Sequence, residues 1–266
     1  SDDGYVAVGS TNSKNIVGLE TSDSTVNDDA LIVKYDASGN VIWQDTFGGT
    51  NADYFSDIIE VEENGQKYYI AAGYSGSIDG DLDDINVASA YNKPIIAKYD
   101  ANGNIVNEKI FLDYGIIYSI KKTDNGYIVV GTIDNTTNQG KIYENRINEF
   151  KGGYDAVIIQ LNNNFEVEWS SYFGGNGSTT TGEYFLDFVV TDFGYVTVGF
   201  GNTNDGDMAD IHVDDDIWIR DAIIVSYDKE GNVLNKNAFG SSGHDEFKRL
   251  IEVEDGYIAV GYANNN

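Results

Sequence analysis

Residues 29–49 read DALIVKYDASGNVIWQDTFGG, and variants of this phrase return at 94–111, 155–175 and 221–241. A second phrase reads GYVAVGS at 4–10 and returns as YYIAAGYS (68–75), GYIVVGT (126–132), GYVTVGF (194–200) and GYIAVGY (256–262). The spacing is 61 to 66 residues, taken between Ala30, Ile95, Ala156 and Ala222. Self-similarity at a nearly fixed period indicates a repeat architecture.

Each repeat reads as four short strands that are rich in Val, Ile, Tyr and Phe and bounded by turn residues. The turns at 36–40, 100–104 and 228–232 share the pattern Asp-x-x-Gly-Asn, in which glycine supplies the positive φ of a hairpin. Four-stranded antiparallel units at this spacing are typical of the blades of a β-propeller. A β-solenoid is the alternative, but its rungs recur every ~20–30 residues.

The predicted fold is therefore all-β, a propeller formed by residues 1–266 as one domain or as a segment of one. Three blades are complete and two are partial; they span 54–111, 116–175 and 184–241, with partial blades at 4–49 and 246–262. Both partial blades carry the Gly-Tyr strand, which leaves three alternatives open. The chain is a segment of a longer propeller, closes in an unusual way, or is completed by another subunit.

Composition excludes several classes of function. The 266 residues contain 16 Lys and Arg against 44 Asp and Glu, a formal net charge of −28. That balance argues against nucleic acid, whose phosphates require basic residues, and against docking on anionic lipid. No apolar stretch is long enough to span a membrane. The absence of cysteine excludes disulfides and thiolate sites.

The order of the phrases resembles the bacterial β-propeller repeats called SBBP and their relatives in secreted surface proteins of low-GC bacteria. The resemblance covers nearly the whole chain except the insertions, and it implies an extracellular or cell-surface location. It is specific for the fold and says little about function, because propellers support binding, scaffolding and catalysis. The second repeat departs from the pattern at Lys93-Pro94 and at 111–113, so an altered edge is expected in that blade.

Long insertions separate the Gly-Tyr strand from the Asp-Ala strand in every repeat, and they are expected on one face. They occupy residues 11–28, 76–93, 133–154 and 201–220. Two of them hold acidic clusters whose D-x-D spacing is suited to calcium, which prefers oxygen ligands. The predicted ligands are Asp79, Asp81, Asp83 and Asp84 in one cluster, and Asp205, Asp207 and Asp210 in the other. The alternative is that both clusters are solvated acidic loops.

One aligned column of residues lies in the strand before the Gly-Tyr phrase. Its members are Asp57, Ser119, Asp187 and Arg249. Alternation along the strand places them opposite the apolar residue that follows each, so they are candidates to line a central channel and contact a ligand. The alternative is that they bond to the backbone of the neighbouring blade.

No catalytic arrangement stands out. The two histidines, His212 and His244, lie in an insertion and a turn, and no G-x-S-x-G elbow exists. The sequence therefore favours a non-catalytic extracellular binding or scaffold module, or a self-assembling one, whose partner is a glycan, a surface protein or copies of itself. The alternative is a glycoside hydrolase or lyase with paired carboxylates in the channel, for example Asp57 and Asp187.

Overall fold

The computed structural model describes residues 4–13, 27–83, 91–111, 114–134, 145–176, 182–211 and 218–264. Within these ranges the protein is all-β, with seventeen strands, one 3-10 turn and no α-helix. Accordingly, no helix in these ranges is long and apolar enough to cross a membrane.

The strands form five antiparallel sheets whose limits follow the repeats. The first sheet contains β1 (Tyr5–Thr11), β2 (Asp29–Tyr35) and β3 (Val41–Phe47). The second contains β4 (Asp53–Glu63), β5 (Gln66–Ser75), β6 (Lys93–Asp100) and β7 (Ile105–Ile110). The third contains β8 (Tyr114–Thr123), β9 (Gly126–Asp134), β10 (Tyr154–Leu161) and β11 (Val167–Phe173). The fourth contains β12 (Tyr184–Val190), β13 (Gly194–Gly201), β14 (Asp221–Asp228) and β15 (Val233–Phe239), and the fifth β16 (Asp245–Val253) and β17 (Gly256–Ala263).

In the second, third and fourth sheets the strands lie side by side in chain order. The register between the Gly-Tyr strand and the Asp-Ala strand is the same in each repeat: Val8 lies opposite Ile32, Val130 opposite Ile158, and Val198 opposite Ile224. Their central strands are buried on both faces, which explains the near-continuous apolar runs. The predicted four-stranded antiparallel repeat is therefore confirmed at the level of the sheets.

Two compact units divide the chain, residues 1–120 and residues 121–266, and the division falls within β8. The core of the first unit lies between the first two sheets, where Ile32 and Phe47 pack with Phe55 and Tyr99. The core of the second unit joins the third sheet to the fourth through a cluster of buried residues that includes Ile158, Phe173, Phe185 and Tyr227. A smaller cluster packs Val196 and Val198 against Leu250 of the fifth sheet.

Tryptophan joins successive sheets at the end where the hairpin turns lie. Trp43 of β3 packs on the turn that follows β6, where a side chain at Gly103 would collide with its ring, and its Nε1 donates to the Ala101 carbonyl oxygen at 3.0 Å. Trp169 of β11 packs in the same way on Gly231, in the turn that follows β14. The two tryptophans thus occupy equivalent places, one in each unit.

Candidate functional site

The acidic insertion of the second sheet binds the Phe-Gly-Gly turn that ends the first sheet. Asp81 Oδ2 accepts the Gly48 N–H at 2.8 Å, and Asp79 Oδ1 accepts the Thr50 N–H at 2.8 Å. In return, the Asp81 N–H donates to the Gly48 carbonyl oxygen at 3.0 Å. Because hydrogen bonds to an ionised acceptor are stronger than neutral ones, these contacts join the two sheets firmly. We call this arrangement the first junction.

Glycine is required between the two aspartates of this junction. Gly80 begins a short 3-10 turn and has a φ of +70°, a conformation that disfavours residues with a Cβ. A side chain at this position would also collide with the Gly48 carbonyl oxygen. The Asp-Gly-Asp sequence is thus fitted to the backbone of the neighbouring turn.

The same arrangement recurs between the third and fourth sheets and forms the third junction. Asp207 Oδ2 accepts the Gly174 N–H at 3.1 Å, and Asp205 Oδ1 accepts the Asn176 N–H at 2.6 Å. The Asp207 N–H donates to the Gly174 carbonyl oxygen at 2.8 Å, and Gly206 has a φ of +58°. The two acidic clusters singled out in the sequence are therefore two copies of one structural element.

A second layer of acids lies beneath each Gly-Gly turn. In the first junction the Asp53 carboxylate accepts the Gly49 N–H at 3.1 Å and the hydroxyls of Ser75 and Ser77. Burial raises the pKa of Asp53 to about 6, although these three donors act in the opposite direction. Asp29, which begins β2, is buried as well and adds to this rise in pKa by its charge.

In the third junction the corresponding acids are Asp155 and Glu183, both with 0% exposure. A side chain at Gly174 would collide with Asp155 Oδ1 and lie 2.8 Å from Glu183 Oε2, so the two oxygens are within about 5 Å of each other. Asp155 Oδ1 has no hydrogen-bond partner among the described residues. Burial raises the pKa of Asp155 to about 8 and that of Glu183 to about 7, and the charge of Glu183 adds to the rise for Asp155.

The junction after the second sheet lacks this acid pair. Lys93 stands where the other Asp-Ala strands begin with aspartate, and it is buried. Gly115 stands where the first strand of the neighbouring sheets has Asp53 or Glu183. The Gly115 N–H donates to the Asn92 carbonyl oxygen at 2.9 Å, as the N–H groups of Asp53 and Glu183 donate to the equivalent carbonyl oxygens. Both acids of the pair and the Gly-Gly turn are thus replaced together, which indicates that they function as one unit. The expected altered edge of the second repeat lies here.

The column of candidate channel residues connects the first strands of successive sheets. Asp57 Oδ2 accepts the Ile120 N–H at 2.9 Å and the Ser119 hydroxyl at 2.8 Å. Asp187 Oδ2 accepts the Leu250 N–H at 2.9 Å, while its other oxygen lies 3.5 Å from Lys121 Nζ. Arg249 donates to the Lys248 carbonyl oxygen. Asp57 and Asp187 thus accept hydrogen bonds from the backbone of the first strand of the next sheet. This is the alternative in which the column bonds to the neighbouring repeat.

Four of the predicted calcium ligands, Asp79, Asp81, Asp205 and Asp207, hold the junction turns, and two of these four, Asp81 and Asp205, are also exposed. Asp83 and Asp210 are exposed, and Asp84 lies outside the described residues. Within the described ranges, no group of three or more acidic or histidine side chains is arranged to hold a metal ion. Calcium therefore stays a prediction.

The buried acid pairs were not predicted from the sequence, although the sequence contains a signal for them. The buried acids are Asp29, Asp155 and Asp221 at the start of the Asp-Ala strands, and Asp53, Glu183 and Asp245 at the start of the first strand of the next sheet. At three junctions both positions are acidic, and at the junction after the second sheet neither is. Aligning the inner positions, and not only the insertions, would have revealed them.

A polar groove of about 500 Å³ lies at the opposite end of the second unit, where the hairpin turns of the third and fourth sheets approach each other. Trp169, Tyr195 and Gln160 form part of its lining, and Tyr195 and Gln160 are buried. Exposed charged side chains surround them, namely Lys122, Asp124, Glu168, Asp192, Lys229 and Glu252. A groove with aromatic rings, a side-chain amide and a charged rim is suited to binding a polar ligand.

No family model matches the chain, and no curated protein is significantly similar to it.

We predict that the free energy of unfolding falls as the pH rises from 5 to 9. In the folded chain Asp155 and Glu183 keep their protons up to about pH 8 and about pH 7, whereas in the unfolded chain they ionise near pH 4. Their contribution is therefore present below about pH 4 and lost as the pH rises through 7 to 8, on the order of a few kcal/mol. Urea unfolding across this range measures it.

The control separates this pair from the general acidity of the chain. Asp155→Asn should flatten the pH dependence and raise stability at pH 8.5, because the amide can donate to Glu183. Asp192→Asn, which changes an exposed carboxylate of the same unit, should leave the slope nearly unchanged. If the unmodified chain, Asp155→Asn and Asp192→Asn showed the same change of unfolding free energy with pH, the assignment to Asp155 and Glu183 would be contradicted.

Proposed function

We propose that this chain is a non-catalytic extracellular binding and scaffold module built on a β-propeller. The propeller is proposed from the repeated four-stranded sheets and from the first and third junctions, which join successive sheets by the same contacts. Successive sheets joined face to face through repeated contacts favour radial packing. The bacterial surface location is proposed from the resemblance of the repeats.

The observation that carries the scaffold role is that the repeated acids are engaged in joining sheets. Asp79 and Asp81 bind turn amides, and Asp57 and Asp187 bind amides of the neighbouring strand. A carboxylate in this position stabilises the backbone that it accepts bonds from. Its lone pairs are correspondingly less available to a substrate.

A hydrolase or lyase would need two carboxylates that a saccharide can reach. The close pair Asp155 and Glu183 has raised pKa values, which a general acid would need, but neither residue is exposed. The buried pair therefore supports a structural role over a catalytic one.

The binding role is proposed for the groove around Trp169. Its exposed charged rim and its ring and amide lining suit a polar ligand, for which we propose a glycan or a protein surface. A further copy of this chain is the third partner that we propose.

The test is a glycan array read with the fluorescently labelled chain, together with turnover assays on the same polysaccharides. We expect binding without turnover, and Glu168→Ala in the groove should reduce the signal about tenfold, equivalent to about 1.4 kcal/mol. Glu62→Ala, an exposed glutamate in the first unit, is the matched control and should not change it. Turnover, or equal binding by both variants, would contradict the proposal.

We also propose that calcium binds the acidic insertions through their exposed carboxylates, Asp81 and Asp83 in one insertion and Asp205 and Asp210 in the other. A net charge of −28 repels itself, and a bound cation would relieve that repulsion. The unfolding temperature should rise more in calcium than in magnesium at equal ionic strength, because flexible oxygen sites favour calcium. Asp83→Asn, which leaves the contacts of Asp79 and Asp81 in place, should reduce the calcium increment. Equal shifts with both metals would show only screening and would contradict the proposal.

A further inference from the structure

The groove around Trp169 has an equivalent position in the first unit, and there a lysine fills it. Lys34 lies opposite Trp43 across β2 and β3, and Gln160 lies opposite Trp169 across β10 and β11, so the two residues correspond. Lys34 is 3% exposed, and its Nζ lies 5.5 Å from the centre of the Tyr69 ring, in a cation–π contact. The first unit therefore supplies its own ammonium group at this position.

The second unit keeps the two rings and has a neutral amide in place of the ammonium group. The ring centres of Trp169 and Tyr195 are 6.1 Å apart, and those of Trp43 and Tyr69 are 5.8 Å apart. The amide nitrogen of Gln160 donates to two backbone carbonyl oxygens, and its Oε1 accepts the Tyr195 hydroxyl at 3.4 Å. The groove therefore presents aromatic rings and an acceptor oxygen where the first unit has a cation.

The same lysine position neutralises a hairpin in the second sheet. Lys98 holds there the position of Gln160. Its Nζ lies 2.6 Å from Glu63 Oε2, in the hairpin that joins β4 to β5, and 4.3 Å from the centre of the Tyr68 ring. In the third sheet the corresponding hairpin carries Asp124, whose charge a glutamine cannot neutralise.

More carboxylates than ammonium groups line the groove. Within the described ranges, no ion pair is found for its four acids, Asp124, Glu168, Asp192 and Glu252. Two lysines line it, and one of them, Lys122, donates to Asn163 Oδ1 at 2.5 Å and lies over the Tyr127 ring. The rim therefore attracts a positively charged ligand and repels an anionic one.

We propose that the groove around Trp169 binds a glycan that carries free amino groups, such as a polysaccharide of glucosamine. A protonated amine of the ligand takes the position that the lysine ammonium group holds in the first two sheets, against the Tyr195 ring and Gln160 Oε1. A glycan is favoured over a lysine-rich peptide because amines repeated along a sugar chain match carboxylates spread around the rim, while the rings provide a face for a sugar to stack on. This inference rests on the proposed binding role of the groove and names the class of glycan that it binds.

The test compares oligosaccharides of glucosamine and of N-acetylglucosamine of equal length. Each is titrated with the whole chain at about pH 6, where amines are protonated, in about 0.15 M salt. We expect the glucosamine form to bind at least about tenfold more tightly. Gln160→Lys, which gives the groove the ammonium group that the first unit has, should weaken this binding about tenfold. Ser226→Lys adds the same charge at the corresponding position of the fourth sheet, outside the groove lining, and should leave it unchanged.

A second pair of variants does not depend on a buried substitution. Asp124→Asn should weaken binding of the glucosamine oligosaccharide about threefold, as expected for an exposed ion pair. Asp255→Asn, which alters an exposed acid of another hairpin outside the groove lining, should have no effect. The unfolding temperature of Gln160→Lys checks that it folds, as lysine at the same position in two other sheets leads us to expect.

Equal binding of the two oligosaccharides would overturn the proposal. So would equal losses in Gln160→Lys and Ser226→Lys, because these would show only the attraction of a polycation to an acidic chain. A blocked tetralysine peptide that binds more tightly than the glucosamine oligosaccharide, and that Gln160→Lys releases, would assign the groove to a polypeptide and overturn the glycan. Binding of neutral glycans that Glu168→Ala reduces and Gln160→Lys does not would overturn this inference alone and leave the proposed function standing.

Discussion

A pair of carboxylates that accepts the backbone amides of a Phe-Gly-Gly turn is the contact on which the rest of the structure depends. It fixes the end of one sheet against the insertion of the next, and the following Leu82 or Met208 completes the core beneath it. Because the acceptors are charged and the donors are backbone groups, the contact is strong and requires no particular side chain from the turn. What it does require is glycine, since a side chain at the close approach would collide.

This contact also explains part of the unusual charge of the chain. Acidic side chains occupy several places in the first and third junctions, and at least two of them in each are buried. Burial of like charges raises their pKa, so the junction tolerates them by retaining protons. The acidity therefore has a structural origin as well as any role in binding, and a count of carboxylates overstates the number that a ligand can reach.

The all-β repeat of antiparallel sheets was predictable from the sequence because the repeat places the same strand and turn residues at one spacing. The limits of the sheets, the position of the Asp-x-x-Gly-Asn turns and the equivalence of Trp43 and Trp169 all follow from it. The role of Asp79 and Asp81 could not be read from their spacing, because D-x-D is compatible with a cation and with a backbone turn as the partner. Only the approach of Gly48 and Thr50, some thirty residues earlier in the chain, decides which groups they bind. The groove around Trp169 was also missed, since its lining comes from hairpin turns that look unremarkable one at a time.

The measurement that tests the account most directly compares the free energy of unfolding of Gly80→Ala with that of Gly65→Ala. Both glycines lie in the first unit with nearly the same φ, +70° and +76°, but a side chain at Gly65 meets nothing within 4 Å. Gly65→Ala should therefore cost only the backbone strain, about 1–2 kcal/mol. Gly80→Ala should cost roughly 1–3 kcal/mol more, because it separates the Asp-Gly-Asp turn from Gly48. Equal losses would contradict the claim that this contact holds the sheets together.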